Sequence, residues 1–269
     1  MHFRVAMARL IECHFVNRVR RKFGAIVHQA GQRQISSSIR TAERAYAEHV
    51  TPGAQDPYHS VFPEFLDLCH AISHPRILEI GAREVSGNSR KQFLPADADY
   101  VGFDIHSGPG VDTVGDAHKL GTIFEPCSFD AVMSFSVFEH LAFPWKAALE
   151  INAILRLGGI CFVTTHPCWP AHELPWDFWR FPVNGLRLLF SATGFEIIAA
   201  KEGLPGRVHS LVSDEATRAI PYETLNLGVA IIAKKIADYD RSRLKWDIFL
   251  EEIEDTTYPI SPKTSTRIP

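Results

Sequence analysis

Three carboxylates in this chain follow short apolar runs, each at a place where chemistry is done in folded proteins. Arg76-Ile77-Leu78-Glu79-Ile80 leads directly into Gly81-Ala82-Arg83. That pattern sets Glu79 and a glycine turn at the carboxyl end of a buried strand, where open α/β sheets bind ligands. A residue without a side chain lets a ligand approach the backbone, and Glu79 can accept hydrogen bonds from a cationic group. Tyr100-Val101-Gly102-Phe103-Asp104 ends in a second carboxylate, 25 residues after Glu79, placed to take both hydroxyls of a ribose. In Gly115-Asp116-Ala117-His118 the third lies beside backbone N–H groups, a combination able to hold an adenine amino group and ring nitrogen. The ligand indicated is a nucleoside. It is not a dinucleotide, because Arg83 and Ser86 occupy the second and third glycine positions of a G-x-G-x-x-G cradle, and this disfavours a nicotinamide cofactor.

Over residues 60 to 235 the chain resembles the class I S-adenosylmethionine-dependent methyltransferases, in particular the small-molecule type 11 group. The resemblance is carried by Ile77-Leu78-Glu79-Ile80-Gly81-Ala82, Val101-Gly102-Phe103-Asp104-Ile105, Gly115-Asp116-Ala117, the run from Phe129 to Leu141, and Leu155-Arg156-Leu157-Gly158-Gly159. It implies S-adenosyl-L-methionine as cofactor. Gly81 and Ala82 would lie against the methionine part and Glu79 would orient its amino group. Asp104 would bind the ribose, Ile105 would pack on adenine, Asp116 with Ala117 would read the adenine edge, and Ser134 and Phe135 would sit beside the sulfonium. The family's further glycines are replaced here by Arg83, Glu84, Val85 and Ser86 before Gly87. S-adenosylmethionine has no phosphates and does not need a glycine-built anion nest.

Methyl transfer is an in-line displacement that needs positioning more than covalent catalysis. A hydroxyl or ammonium acceptor must also lose a proton, and His140 and His166, after the fourth and fifth strands, are the general-base candidates. Ser136-Val137-Phe138-Glu139-His140 is similar to the E-x-x-E-H magnesium site of ubiquinone-pathway O-methyltransferases, with Ser136 in place of the leading carboxylate. With that hard oxygen ligand gone, no metal site is expected. A helix start would show the same Glu-His pair, and a strand end the same His166. Residues 165–181 hold three tryptophans, two histidines, two acids and an arginine, and in this fold the loop covers the acceptor. Aromatic walls with a few polar groups suit a sugar, a phenol or another ring. His172, Glu173, Asp177 and Arg180 are its polar candidates for substrate contact, while Trp176, Phe178, Trp179 and Phe181 also suit simple packing of the loop onto the next helix.

The elements that must position these residues are short β-rich runs alternating with helical ones, the texture of an α/β domain. Strands are predicted at 76–80, 99–104, 111–114, 129–134, 160–165, 195–200 and 227–233, forming one seven-stranded, mostly parallel sheet with helices on both faces, a Rossmann-like methyltransferase fold. The clearest helix runs from Trp145 to Leu157 and stops at Gly158-Gly159. Ile11, Phe15, Val19 and Phe23 recur at four-residue spacing among arginines, so residues 3–28 read as a basic amphipathic helix. Such a stripe packs on its own protein, or lies on an anionic membrane surface or a protein partner. Residues 32–38 read as a linker, 39–49 as a short helix, 51–60 as a loop and 259–269 as a loose tail. The domains expected are a basic helical N-terminal extension (1–59), a cofactor-binding methyltransferase domain (60–237) and a C-terminal helix with tail (238–269).

The chain has 269 residues, 46% hydrophobic and 22% charged, which is globular composition and excludes collagen, coiled coil and disorder. Net charge is −3, and residues 1–50 hold nine Lys/Arg against three Asp/Glu, leaving 19 against 28 elsewhere. The acidic body argues against a nucleic-acid partner. No run approaches the length of a membrane span, and charges interrupt every candidate secretory signal, so cytoplasmic residence is expected. Five scattered cysteines without a C-x-x-C pair read as reduced thiols, several of them buried. The function expected is S-adenosylmethionine-dependent methylation of a small-molecule acceptor, a saccharide or a secondary metabolite. The alternative is a non-catalytic binder of the cofactor or its demethylated product, serving as a scaffold.

Overall fold

The computed structural model describes residues 56–85, 89–207 and 224–239, with Ser37 in addition. The chain divides into two units, Met1–Pro52 and Gly53–Pro269, and every described residue except Ser37 lies in the second. The expected basic helix at 3–28, the helix at 39–49 and the tail at 259–269 fall outside the described residues. Ser37, placed by the sequence in a linker, is helical.

Chain order is α1 (Pro57–His70), β1 (Arg76–Ile80), a 3-10 turn (Arg90–Phe93), β2 (Asp99–Asp104), β3 (Thr113–Val114), a 3-10 turn (Ala117–Lys119) and α2 (Leu120–Ile123). There follow β4 (Phe129–Phe135), a 3-10 turn (Phe138–His140), α3 (Pro144–Ile154), β5 (Leu155–Thr165), α4 (Val183–Ser191), β6 (Phe195–Arg207) and β7 (Thr224–Lys235). The strands form one sheet in the order β3-β2-β1-β4-β5-β7-β6. All neighbours are parallel except β7, which runs antiparallel to both β5 and β6. The chain leaves β1 toward β2 and β3 on one side and returns to β4 on the other, so a topological switch lies between β1 and β4.

Strand alternation sends successive residues to opposite faces. Leu78, Val132, Cys161, Val163 and Ile231 pack with Ile151, Ile154, Leu186 and Phe190 of α3 and α4. Ile77, Ala131, Met133, Phe162 and Ile232 pack with Val61, Phe65 and Cys69 of α1. Val61, Phe65 and Cys69 recur every fourth residue, the stripe a helix needs to lie on a sheet. Asp56 caps α1 by accepting from the Tyr58 N–H at 3.0 Å, and its other oxygen takes the Leu204 N–H at 2.8 Å, tying the helix start to β6. Burial pushes the Cys69 thiol up to about 12. Among the described residues no helix is long and apolar enough to cross a membrane.

Several predicted boundaries move. Pro57–Ser60, read as loop, is the first turn of α1, with Pro57 at the position where a missing N–H costs nothing. The helix predicted to run from Trp145 to Leu157 ends at Ile154, because Leu155 pairs with Phe129 and begins β5. The Lys235 ammonium caps this end from β7, donating to the carbonyls of Asn152 at 2.7 Å and Leu155 at 3.0 Å. β3 is shorter than predicted, since Asp112 spends its side chain on the Gly102 N–H at 2.8 Å. β6 and β7 extend beyond the predicted ends and pair as far as Arg207 and Thr224. Pro205 is tolerated there because β6 is an edge strand. Between β1 and β2 the described residues hold a single 3-10 turn where a full helix is expected.

Candidate functional site

A cavity of about 330 Å³ opens at the carboxyl ends of β1, β2 and β4, the switch point of the sheet. Its walls include Glu79, Gly81, Ala82, Asp104, Ile105, Asp116, Ala117 and Phe135, so eight of the nine residues expected at the cofactor line one space. Ser134 is the exception. It is fully buried behind the wall, and Phe135, Ser136 and Val137 form the boundary in its place.

Each expected contact is held by neighbours that the sequence did not single out. Gly81 has φ +83, and a Cβ there would stand 2.3 Å from the Val137 side chain, so both the conformation and the space demand glycine. Glu79 accepts from the Tyr100 hydroxyl at 2.8 Å and from Arg90 at 3.1 Å. Burial raises its pKa, against the opposing pull of Tyr100 and Arg90. The Arg90 guanidinium also lies over the Phe135 ring, 4.0 Å from its centre. Asp104 accepts the backbone N–H of His106 at 2.9 Å and that of Arg83 at 3.4 Å. Ile105 is 39% exposed at the cavity wall, an apolar side chain open to a ring. Asp116 takes the His118 backbone N–H at 2.9 Å and its Nδ1–H at 2.6 Å. Burial would push the Asp116 carboxyl up, but His118 outweighs it and holds the pKa below the ordinary value. His118 in turn accepts the Phe143 N–H at Nε2, 3.2 Å away, which fixes its tautomer.

At the other end of the cavity are Ser136, His140, Leu141, His172, Glu173 and Trp176. Ser136 sits at φ +51, a strained conformation of the kind found at functional sites, and its hydroxyl is 3.3 Å from His166 Nε2. His140, one expected base, lines the cavity. His166, the other, lies one layer back, stacked on Trp169 with ring centres 4.6 Å apart. Between them is Glu139, which is fully buried. Its Oε2 accepts the Thr165 hydroxyl at 2.6 Å, while Oε1 accepts no hydrogen bond and stands 3.5 Å from His166 Nε2 and 3.9 Å from His140 Nε2. Burial pushes the His140 pKa below the ordinary value in spite of the Glu139 carboxylate.

The loop between β5 and α4 is fastened from within. Asp177 binds Arg180 through two contacts of 2.6 and 2.8 Å and accepts the His172 N–H at 2.9 Å. Burial would raise its pKa, but the Arg180 guanidinium dominates and holds the carboxyl below the ordinary range. Of the four polar residues expected to meet substrate, His172 and Glu173 face the cavity, whereas Asp177 and Arg180 are engaged with each other. The backbone N–H groups of Phe178 and Trp179 donate to the Glu139 carbonyl at 2.9 and 3.1 Å, so the loop is pinned over the glutamate. Trp176 and Phe181 are buried, while Trp169 is 41% exposed beside His166.

Residues 79–163 match the family model of the methyltransferase domain. No curated protein matches the chain. Among solved structures, an S-adenosylmethionine-dependent methyltransferase from Archaeoglobus fulgidus is similar at 16% identity and TM-score 0.47, over 65% of this chain and 91% of that one. The Burkholderia thailandensis 1,6-didemethyltoxoflavin-N1-methyltransferase, with bound 1,6-didemethyltoxoflavin and S-adenosylhomocysteine, is similar at 12% identity and TM-score 0.48, over 76% and 90%.

Proposed function

We propose that this chain, which carries an S-adenosylmethionine-dependent methyltransferase domain over residues 79–163, transfers the cofactor's methyl group to a small-molecule acceptor seated beneath the 165–181 loop. The observation that carries this reading is one cavity whose walls run from Glu79, Asp104, Ile105 and Asp116 at one end to Ser136, His140, His172 and Trp176 at the other. In the pose this supports, Asp104 takes the ribose hydroxyls with its carboxylate steadied by two backbone N–H groups. Ile105 covers one face of the adenine, and Asp116 with Ala117 meets its edge. Gly81 and Ala82 admit the methionine part, and Glu79 faces its ammonium. The methyl group then points past Phe135 toward Ser136 and the histidines.

When bound, the cofactor supplies an electrophilic methyl carbon. The chain supplies alignment and proton removal, and no protein nucleophile is needed. A neutral imidazole is the form that takes a proton, and the depressed pKa of His140 keeps it neutral. His166 offers Nε2 as well, because its Nδ1 donates to the Leu227 carbonyl at 3.1 Å. Trp176, His172 and Glu173 give the acceptor end an aromatic wall and two polar groups, which suits a saccharide or a ring-bearing secondary metabolite. Residues 1–59 and 238–269 flank the domain of 60–237 as additions, and the basic charge of the first suits a surface or a protein partner. The acidic body suits no nucleic acid, and we place the protein in the cytoplasm.

A labelled methyl donor offered with panels of hydroxylated rings and sugars tests the reading. His166→Ala is expected to lower kcat by roughly 10²–10⁴-fold with S-adenosylhomocysteine affinity unchanged. Turnover indifferent to both His166→Ala and His140→Ala would remove the base assignment, and cofactor binding without turnover on any acceptor would favour the scaffold alternative.

A further inference from the structure

The ligand atoms of Glu139, His140 and His172 lie within 4.8 Å of one another. Glu139 and His140 are adjacent in sequence, but His172 arrives from the loop after β5, so spacing alone gave no sign of the group. Hydrogen bonding fixes the protonation of each imidazole. His140 Nδ1 is 2.5 Å from the Trp176 carbonyl and His172 Nδ1 is 3.1 Å from the Pro170 carbonyl. A carbonyl only accepts, so both Nδ1 atoms carry the proton and both Nε2 atoms present lone pairs. Imidazoles that ligate metals have this arrangement, with the second ring nitrogen donating to a backbone carbonyl or carboxylate.

Glu139 completes the pattern. It is fully buried, with Oε2 satisfied by Thr165 and Oε1 accepting nothing. A buried carboxylate oxygen without a donor is costly. Here it stands beside imidazole lone pairs, an arrangement of acceptors facing acceptors that a cation between them would relieve. Two imidazoles and one carboxylate select a transition ion of the zinc or ferrous type over magnesium, which prefers an all-oxygen set. Tetrahedral ligands at roughly 2.1 Å from zinc stand about 3.4 Å apart, so closure asks for side-chain movements of at most about 1.4 Å.

We infer that Glu139, His140 and His172 form a binding site for one divalent transition-metal ion, with an open coordination position facing the acceptor end of the cavity. His140, His172 and Ser136 all line that space. The site stands on its own donors, but its use rests on the methyl-transfer reading, and there it narrows the acceptor to one with an oxygen donor. The acceptor oxygen takes the open position and its proton passes by way of the Ser136 hydroxyl to His166 Nε2, which stands 3.3 Å behind it. The oxygen lone pair forms the bond to the methyl carbon as the carbon–sulfur pair returns to sulfur, giving the methyl ether and S-adenosylhomocysteine. His140 is then a ligand, and His166 alone is the base.

The test uses the full chain stripped with chelator and titrated with Co²⁺, followed by displacement with Zn²⁺. One equivalent of Co²⁺ with visible d–d absorption, displaced by Zn²⁺ and weakened at least roughly a hundredfold in His172→Ala, is the expected result. His172 is partly exposed and its replacement leaves the buried glutamate in place. Glu139→Gln, checked for folding by circular dichroism, is expected to behave likewise. A chain that binds S-adenosylhomocysteine but no Co²⁺ overturns the inference, as does Co²⁺ binding equal in wild type, His140→Ala and His172→Ala. Co²⁺ binding with no S-adenosylhomocysteine binding leaves the metal site standing and sinks the methyltransferase reading instead.

Discussion

Glu79 sets a buried carboxylate against a cofactor that brings a cation. Its raised pKa follows from burial, and the sign of the linkage is definite. A folded pKa above the unfolded one means stability that is present below the unfolded pKa and lost as pH rises through the folded one, so the ionised group costs stability at neutral pH. Glu79→Gln is therefore expected to leave Tm at neutral pH unchanged or higher while weakening S-adenosylhomocysteine binding by about 10- to 100-fold, the worth of a charged hydrogen bond of about 1.5–3 kcal/mol. Titration calorimetry across pH is expected to show wild-type affinity falling on acidification from above the ordinary value of 4.5, with a flat profile in the variant. Glu79, Asp104 and Asp116 were legible because each closes an apolar run. Arg90 and Tyr100, which hold Glu79, were not, since nothing in one sequence reports that side chains 11 to 21 residues apart meet. Ser134 was misplaced by strand alternation, which turns it into the core and leaves Phe135 at the wall.

Elements were read well wherever the local pattern and the sheet agree. β1 and β2 have the predicted ends because each is a short run, buried in β1 over Ile77–Ile80 and in β2 at Gly102 and Phe103, that stops at a turn. The end of α3 was misread because its stop is made from outside, by Lys235 of β7 and by the pairing of Leu155 with Phe129. Lysines near a helix C-terminus satisfy its last carbonyls, and this one is 1% exposed. Lys235→Ala is expected to cost about 2–3 kcal/mol in denaturant unfolding, with an unchanged m-value, while Lys234→Ala on the same strand has little effect. The β6–β7 extension was hidden by Gly203, Pro205 and Gly206, residues that weaken a central strand but are admitted at an edge. The 165–181 loop stood out in composition, but which of its polar residues face the cavity depended on the Asp177–Arg180 pair, a tertiary fact.

For the whole molecule, the balance of an acidic body and a basic head was visible in composition alone. The head lies outside the described residues. A ligand that binds only the folded state at a hundredfold excess over Kd adds about 2.7 kcal/mol, which for a domain of this size raises Tm by about 5–10 °C. Thermal melts are expected to show that shift with S-adenosylhomocysteine and none with NADH, because the glycine cradle for a pyrophosphate is missing. The most direct measurement is calorimetric titration of the full chain with S-adenosylhomocysteine, set beside Asp104→Ala. One site of micromolar affinity, weakened at least roughly tenfold in the variant by loss of charged hydrogen bonds to the ribose, is the expected result. Failure of the intact chain to bind, or equal binding by both proteins, would contradict a nucleoside cofactor seated at the switch point of this sheet.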